Sequence, residues 1–290
     1  MVKKTIKNIA YWTLPQGLVD VANKTYYRLL LGRALKLCRG NSRYRDLHRG
    51  QRCFIVCNGP SVNRQNLLPL KDEIVFSVSS GYHHQDYAIY RPRYHCVPQF
   101  GYTEKLTKEV AIAWFREMQE KIGEAELFLS YRDEPLVREK QLFSGRKVNY
   151  LCLHGDFPHN PRKLVDLTKI VPGVCAVPIM CLMIAMYMGF KDIYLLGTEH
   201  DSFKNGEYKY FFKESVLCGK VDELTVDGKI IDPLRVQLYD YYRLFSQYQA
   251  VKTIASAHGI NIYNATAGGA LEEFDRVSLE DVLKDSNSPC

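Results

Sequence analysis

Short apolar runs alternate along this chain with longer stretches of helical periodicity. Cys53–Cys57, Glu73–Val78, Tyr94–Val97, Leu127–Ser130, Val148–Leu153, Lys191–Gly197 and Ile260–Tyr263 are brief runs bounded by turn residues, and they read as strands. Between them, Leu106 to Ile122 carries helical spacing, and Val174–Met188 reads as a long apolar helix broken or started at Pro178. Leu234–His258 reads as a Tyr-rich helix closed by Gly259, and Pro15 to Cys38 as a further helix with Lys24, Arg28, Arg33 and Lys36 among its apolar residues. Strands alternating with helices predict an α/β fold, a mostly parallel sheet with helices on both faces. The expected organisation is a basic amphipathic N-terminal segment (1–50), a catalytic domain (51–283) and a short tail (284–290). Residues 203–233 are too long for a simple connection, and they are expected to form a lid.

Composition narrows the class. With 290 residues, 46% of them hydrophobic and 24% charged, the chain suits one large α/β domain that needs no disulfide or metal staple. Its nine cysteines sit mostly in apolar runs and form no C-x-x-C pair, which favours reduced thiols in a cytosolic compartment over a zinc site. No run reaches the roughly 18 consecutive apolar residues of a membrane span. The opening MVKKTIKNIAYWTLPQG lacks the long apolar stretch of a secretory signal.

Charge is uneven. Residues 1–52 hold twelve Lys and Arg against Asp20 and Asp46, a net of +10, so the remainder of a chain of net charge +7 totals about −3. Two readings stay open for the basic segment. It is either a helix packed on the body with solvated cations, or an interfacial helix on an anionic membrane surface with Trp12, Tyr26 and Tyr27 at headgroup depth. It carries no recognised DNA- or RNA-binding motif, so a nucleic-acid partner is not expected.

Ligands of parallel sheets sit beyond the carboxyl ends of the strands, which directs attention to residues 58–63, 79–86, 98–103, 198–203 and 264–269. Asn58-Gly59-Pro60-Ser61 follows the first strand and is either a plain turn or a backbone cradle for a phosphate. Gly197-Thr198-Glu199-His200-Asp201 places three ionisable groups in a row at another strand end. The imidazole of His200 suits general-base work, and a neighbouring carboxylate can orient it. The acid-x-acid spacing of Glu199 and Asp201 also suits Mg²⁺. Tyr82, His83 and His84 form a second polar cluster. Asn264 to Gly269 is rich in small residues that admit a ligand or a neighbouring loop, with Asn264 and Thr266 as polar contacts. Tyr208, Tyr210, Tyr239, Tyr241 and Tyr242 offer stacking surfaces and phenol donors to phosphate or sugar oxygens.

The strand running into NGPS, the block Gly173–Phe203 and the ending Ile260–Leu283 together resemble the 6-hydroxymethylpterin diphosphokinase MptE-like family. Its relatives include Maf-type flagellin glycosyltransferases and the bacterial sialyltransferases of glycosyltransferase family 42. The resemblance covers roughly residues 45–283 and implies a Rossmann-like nucleotide-binding fold. Among the sialyltransferases it implies transfer of a keto-sugar acid from a CMP-sugar without a required metal. For the pterin enzyme it implies Mg²⁺ and ATP-dependent diphosphoryl transfer. Asn58, Gly59 and Ser61 match the family's nucleotide-contacting loop. Set against the sialyltransferases, Ser79 aligns with an Asn after the second strand, Val177-Pro178 with a Ser-Gly pair, and Tyr242 with the catalytic His, for which His200 is the substitute candidate.

The leading expectation is therefore an inverting glycosyltransferase of sialyltransferase-like fold, acting at the inner face of the cytoplasmic membrane. A CMP-activated sugar donor, a surface glycan or lipid-linked acceptor, and no required metal complete it. Asn58, Gly59, Pro60, Ser61, Ser79, Gly197 and Thr198 are the expected nucleotide contacts, with His200 or Asp201 as base beside Glu199. The alternatives are a Mg²⁺-dependent pterin diphosphokinase and a non-catalytic nucleotide-sugar-binding protein.

Overall fold

A computed structural model describes residues 25–26, 29–98, 107–205, 210–212, 225–226, 229–230 and 233–284. In chain order its strands are β1 (Arg52–Val56), β2 (Val75–Val78), β3 (Tyr94–Cys96), β4 (Glu126–Ser130), β5 (Val148–Leu153), β6 (Ile170–Val171), β7 (Asp192–Leu196), β8 (Thr225–Val226), β9 (Lys229–Ile230), β10 (Asn261–Asn264) and β11 (Asp275–Arg276). Nine of them form one sheet in the order β11-β10-β7-β1-β2-β3-β4-β5-β6. Every pairing in it is parallel, so the sheet is more uniform than the mostly parallel one expected. β8 and β9 pair antiparallel as a separate ribbon inside the expected lid.

The period of two along each strand builds a core on both faces. From β1, Cys53 and Ile55 enter one core while Phe54 and Val56 enter the other. The longer helices are α1 (Gly32–Cys38), α2 (Lys108–Lys121), α3 (Val177–Tyr187) and α4 (Leu234–Ala257). Helix α2 turns Ala111, Trp114, Phe115 and Met118 into the Phe54 side, at the spacing the sequence shows. Helix α3 is apolar all round because it is buried all round, packed on β1, β2, β3, β7 and α4. Pro178 falls in its first turn, where a missing amide hydrogen is harmless, so it starts the helix rather than breaking it. Gly259 adopts φ +64° just past the end of α4, as a helix-closing glycine does.

The second half of the basic N-terminal segment, from residue 31 on, is built into the core. Leu31, Ala34 and Cys38 are buried with Cys152, and Tyr44 is 1% exposed among sheet aromatics. Asn41 donates its amide to the Tyr150 and Leu167 carbonyls at 2.8 and 3.0 Å. The amides of Asp46, His48 and Gly50 donate to the Tyr187, Met188 and Gly189 carbonyls, which the end of α3 leaves without helical partners. The possible membrane-facing residues Trp12 and Tyr27 lie outside the described residues. Among the described residues, no helix is long and apolar enough to cross a membrane.

Candidate functional site

Chain order reverses direction between β1 and β7. From β1 the chain proceeds outward through β2 to β6, then returns to lay β7 on the other side of β1 and continues to β10 and β11. Such a switch point opens a crevice at the carboxyl ends of the two strands, because their following loops leave in opposite directions. The loops that meet there are Asn58–Ser61 and Gly197–Asp201.

Their contact is intimate. The Gly59 amide donates to the Gly197 carbonyl at 3.0 Å, and the Cys57 amide to Leu196 at 2.9 Å. Gly197 sits at φ +66°, and a Cβ there would stand 2.7 Å from the Cys57 carbonyl oxygen. A Cβ on Gly59 would stand 1.6 Å from Glu199 Oε2 and 2.6 Å from the Gly197 oxygen. Glycine is therefore required at 59 by close approach and at 197 by both approach and conformation. Pro60 opens a helical turn, Pro60–Arg64, in which Ser61 is completely buried.

An anion is already present in this cradle, and the protein supplies it. The Ser61 amide donates to Glu199 Oε1 at 2.6 Å, and the second oxygen, Oε2, lies against Gly59. Oε2, Ser61 Oγ and Asn58 Oδ1 are buried and have no hydrogen-bond partner. The Glu199 backbone is held separately: its carbonyl accepts from the Ala270 amide at 2.6 Å, and Gly269 packs against its Cα.

His200 adopts φ +48°, unusual for a residue with a side chain. Its Nε2 lies 2.7 Å from the hydroxyl of Tyr248, which is fully buried in the core. Burial pushes its pKa down to about 4, so the ring is neutral at pH 7. Asp201 is half-buried, and its carbonyl accepts from Lys204. The run of three ionisable groups seen in the sequence, Glu199-His200-Asp201, thus divides. Glu199 points into the β1 loop, and His200 points to α4. Among the described residues, no group of three or more His, Cys, Asp or Glu side chains could hold a metal ion. The Mg²⁺ pair of the alternative expectation, Glu199 with Asp201, gains no third ligand of these types there.

The last loop joins the same edge. The Thr198 amide donates to Thr266 Oγ1 at 3.1 Å, and their hydroxyls stand 2.9 Å apart. Asn264 is fully buried; its Oδ1 accepts from the Thr266 amide and its Nδ2 donates to the Leu271 carbonyl. Asn264, Thr266 and Thr198 thus spend their polar groups on holding the loops together. Arg276, which sequence reasoning passed over, donates to the carbonyls of Thr266, Gly268, Gly269 and Leu271. A lone arginine after a glycine pair was its one signal.

At the β2 edge, Ser79 takes φ +47°. Its carbonyl accepts from His95 Nε2–H, and its amide donates to Cys96. Burial lowers the pKa of His83 and His84, and their rings meet Phe212 (tilted, 5.4 Å between centroids) and Phe211 (edge-on, 5.3 Å). This aromatic piece of the expected lid reaches the cradle directly. The Phe211 amide donates to the Asn58 carbonyl, and Asn63 donates back to the Phe211 carbonyl. Tyr210 stacks on Phe212 at 5.2 Å, and Tyr208 lies outside the described residues. Tyr242 is 71% exposed; its neighbour Tyr241 meets Ser202 Oγ at 2.5 Å.

The fold and this crevice define a Rossmann-like α/β protein with an anion-holding loop pair at its switch point. No protein-family model matches the chain, and no curated protein matches it. Among solved structures, it is similar to the MAf glycosyltransferase from Magnetospirillum magneticum AMB-1, at 15% identity and a TM-score of 0.49. That likeness covers 86% of this chain and 40% of the other, so the chain spans well under half of the larger protein. It is also similar to the sialyltransferase CstII from Campylobacter jejuni, whose structure holds the substrate analogue cytidine-5'-monophosphate. Identity there is 14% and the TM-score 0.32, over 79% of this chain and 86% of that one. Both likenesses are remote.

Proposed function

We infer that this chain is a glycosyltransferase that uses a nucleotide-activated sugar, with a CMP-linked donor favoured. The supporting observation is the Ser61 amide of the NGPS loop, which holds a carboxylate oxygen at 2.6 Å at the switch point of the sheet. A site that binds one oxyanion through backbone hydrogen offers the same donor to a phosphate oxygen. The nucleotide's phosphate belongs at Asn58–Ser61, and the lid residues Tyr210–Phe212 close over it through the Asn58 carbonyl. The sugar-transfer chemistry follows the sequence resemblance described above. Asp201, half-buried and free of His200's contact with Tyr248, is the better-placed base for the acceptor hydroxyl. His200 is committed elsewhere, its Nε2 2.7 Å from the Tyr248 hydroxyl. Leaving-group charge is met by backbone donors and by phenols such as that of Tyr210.

The test is a thermal-stability screen of the full chain against CMP, UDP, GDP and ATP, with and without Mg²⁺. Stabilisation by CMP that is indifferent to Mg²⁺ is expected. Stabilisation only by Mg-ATP would replace this reading with the diphosphokinase one. The acceptor is proposed to be a lipid-linked or surface glycan reached at the membrane's inner face. A truncation that probes this must end before the buried Leu31. Deleting residues 1–28, which removes Lys3, Lys4, Lys7, Lys24 and Arg28, is expected to abolish sedimentation with anionic vesicles while CMP binding persists. Undiminished sedimentation of the truncated chain would end the membrane proposal.

A further inference from the structure

The geometry points to Glu199 as the residue that sets phosphate affinity, by occupying the phosphate subsite itself until a donor displaces it. This rests on the nucleotide reading above and adds a competing internal anion to it. Three observations carry it. First, the Ser61 amide, the donor a phosphate oxygen needs, is engaged by Glu199 Oε1 at 2.6 Å. A carboxylate and a phosphate cannot share that one amide hydrogen, and like charges repel strongly in a site screened from water. Second, the seat is incomplete for a carboxylate. Glu199 Oε2 and Ser61 Oγ are buried without partners, with Ser61 fully buried and Glu199 8% exposed. Buried polar atoms are seldom left unpaired, and a hydroxyl aimed at nothing suits a ligand with more oxygens than a carboxylate brings. Third, the Glu199 backbone is clamped by the Ala270 amide and by Gly269 packed on its Cα. Only the side chain is free to leave, so displacement is a rotamer change that needs no loop rearrangement.

A phosphoryl group entering here would take the Ser61 amide, gain the Ser61 hydroxyl as a second donor, and expel the carboxylate toward the crevice. The competing carboxylate makes the empty site a poor trap for free phosphate. Only a ligand with further contacts, such as a nucleoside, would open it efficiently.

The test compares wild type with Glu199→Ala and Glu199→Gln by isothermal titration, using CMP, cytidine and inorganic phosphate as probes. Thermal melts first establish which variants fold. Glu199→Gln keeps an acceptor for the Ser61 amide and guards against collapse of the alanine variant. CMP is expected to bind Glu199→Ala at least tenfold tighter than wild type, with Glu199→Gln between them and cytidine affinity unchanged. Inorganic phosphate is expected to bind measurably only to the variants. Unchanged or weaker CMP binding in both folded variants, with wild type binding CMP, overturns the inference and leaves the nucleotide reading standing. Equal tightening for cytidine also overturns it, since the effect would not belong to the phosphate. Failure of all three proteins to bind any probe removes the nucleotide reading and this inference with it.

Discussion

Gly59→Ala is expected to abolish CMP binding and to lower stability by about 2–3 kcal/mol in urea denaturation. A methyl at this position would stand 1.6 Å from Glu199 Oε2, 2.4 Å from its carboxyl carbon and 2.6 Å from the Gly197 carbonyl oxygen. The first two contacts belong to a side chain that can swing away. The third is backbone, and Gly197 cannot retreat, because Cys57 already packs against it and its amide-side neighbour Leu196 is held by the Cys57 amide. The loop must therefore shift, and with it the Ser61 amide that positions the anion. The informative control is Gly40→Ala, since a Cβ at Gly40 meets nothing within 4 Å. That variant should stay within about 0.5 kcal/mol of wild type and bind CMP normally. A Gly59→Ala protein that melts with wild type and binds CMP within threefold of it would show that the two loops do not meet as described.

The second large effect is loss of stability in mild acid. His95 is fully buried, with Nε2–H donating to the Ser79 carbonyl and Nδ1 accepting from the Ser77 hydroxyl at 2.7 Å. Neither nitrogen can take a further proton without breaking that arrangement, and burial pushes its pKa down to about 3. His200 is pushed down to about 4 by the same cause. In the unfolded chain both imidazoles return to about 6.5. Between roughly pH 6.5 and pH 4 the unfolded state therefore binds protons that the folded state refuses. Their contribution is fully present above the unfolded value and is lost as pH falls through that window. The loss is on the order of 3 kcal/mol for each histidine by pH 4. His48, His83 and His84 shift in the same direction. Urea midpoints should fall steadily from pH 7 to pH 4.5, and His200→Gln should flatten part of that slope. A stability flat across this range, or imidazole resonances of His95 titrating near pH 6.5, would contradict the buried neutral arrangement.

Most of the architecture was legible in the pattern of apolar residues. Cys53–Cys57, Val148–Leu153 and Lys191–Gly197 announced themselves as strands because buried parallel strands are continuous apolar runs, and they appear within a residue or two of the expected bounds. Helix α3 was legible for the same reason, since full burial writes itself into composition. β6 and β11 were not, because two-residue strands carry no period. The packing of residues 31–50 into the body was also hidden. Asn41 and the amides of 46–50 act through hydrogen bonds to carbonyls more than a hundred positions away, and such bonds leave no local signature.

The sequence by itself determined the fold class and the edge of the sheet where polar residues collect, because burial and strand period are local properties of the chain. Only the tertiary structure decided what those polar residues do. NGPS and Glu199 are separated by about 140 positions, and no spacing rule joins them; parallel pairing of β1 with β7 brings the Ser61 amide to the Glu199 carboxylate. The same pairing turns His200 toward Tyr248 and separates it from the acid beside it in sequence. Neighbours in a chain share a backbone, but where each side chain points is set by φ, ψ and by what the sheet places opposite.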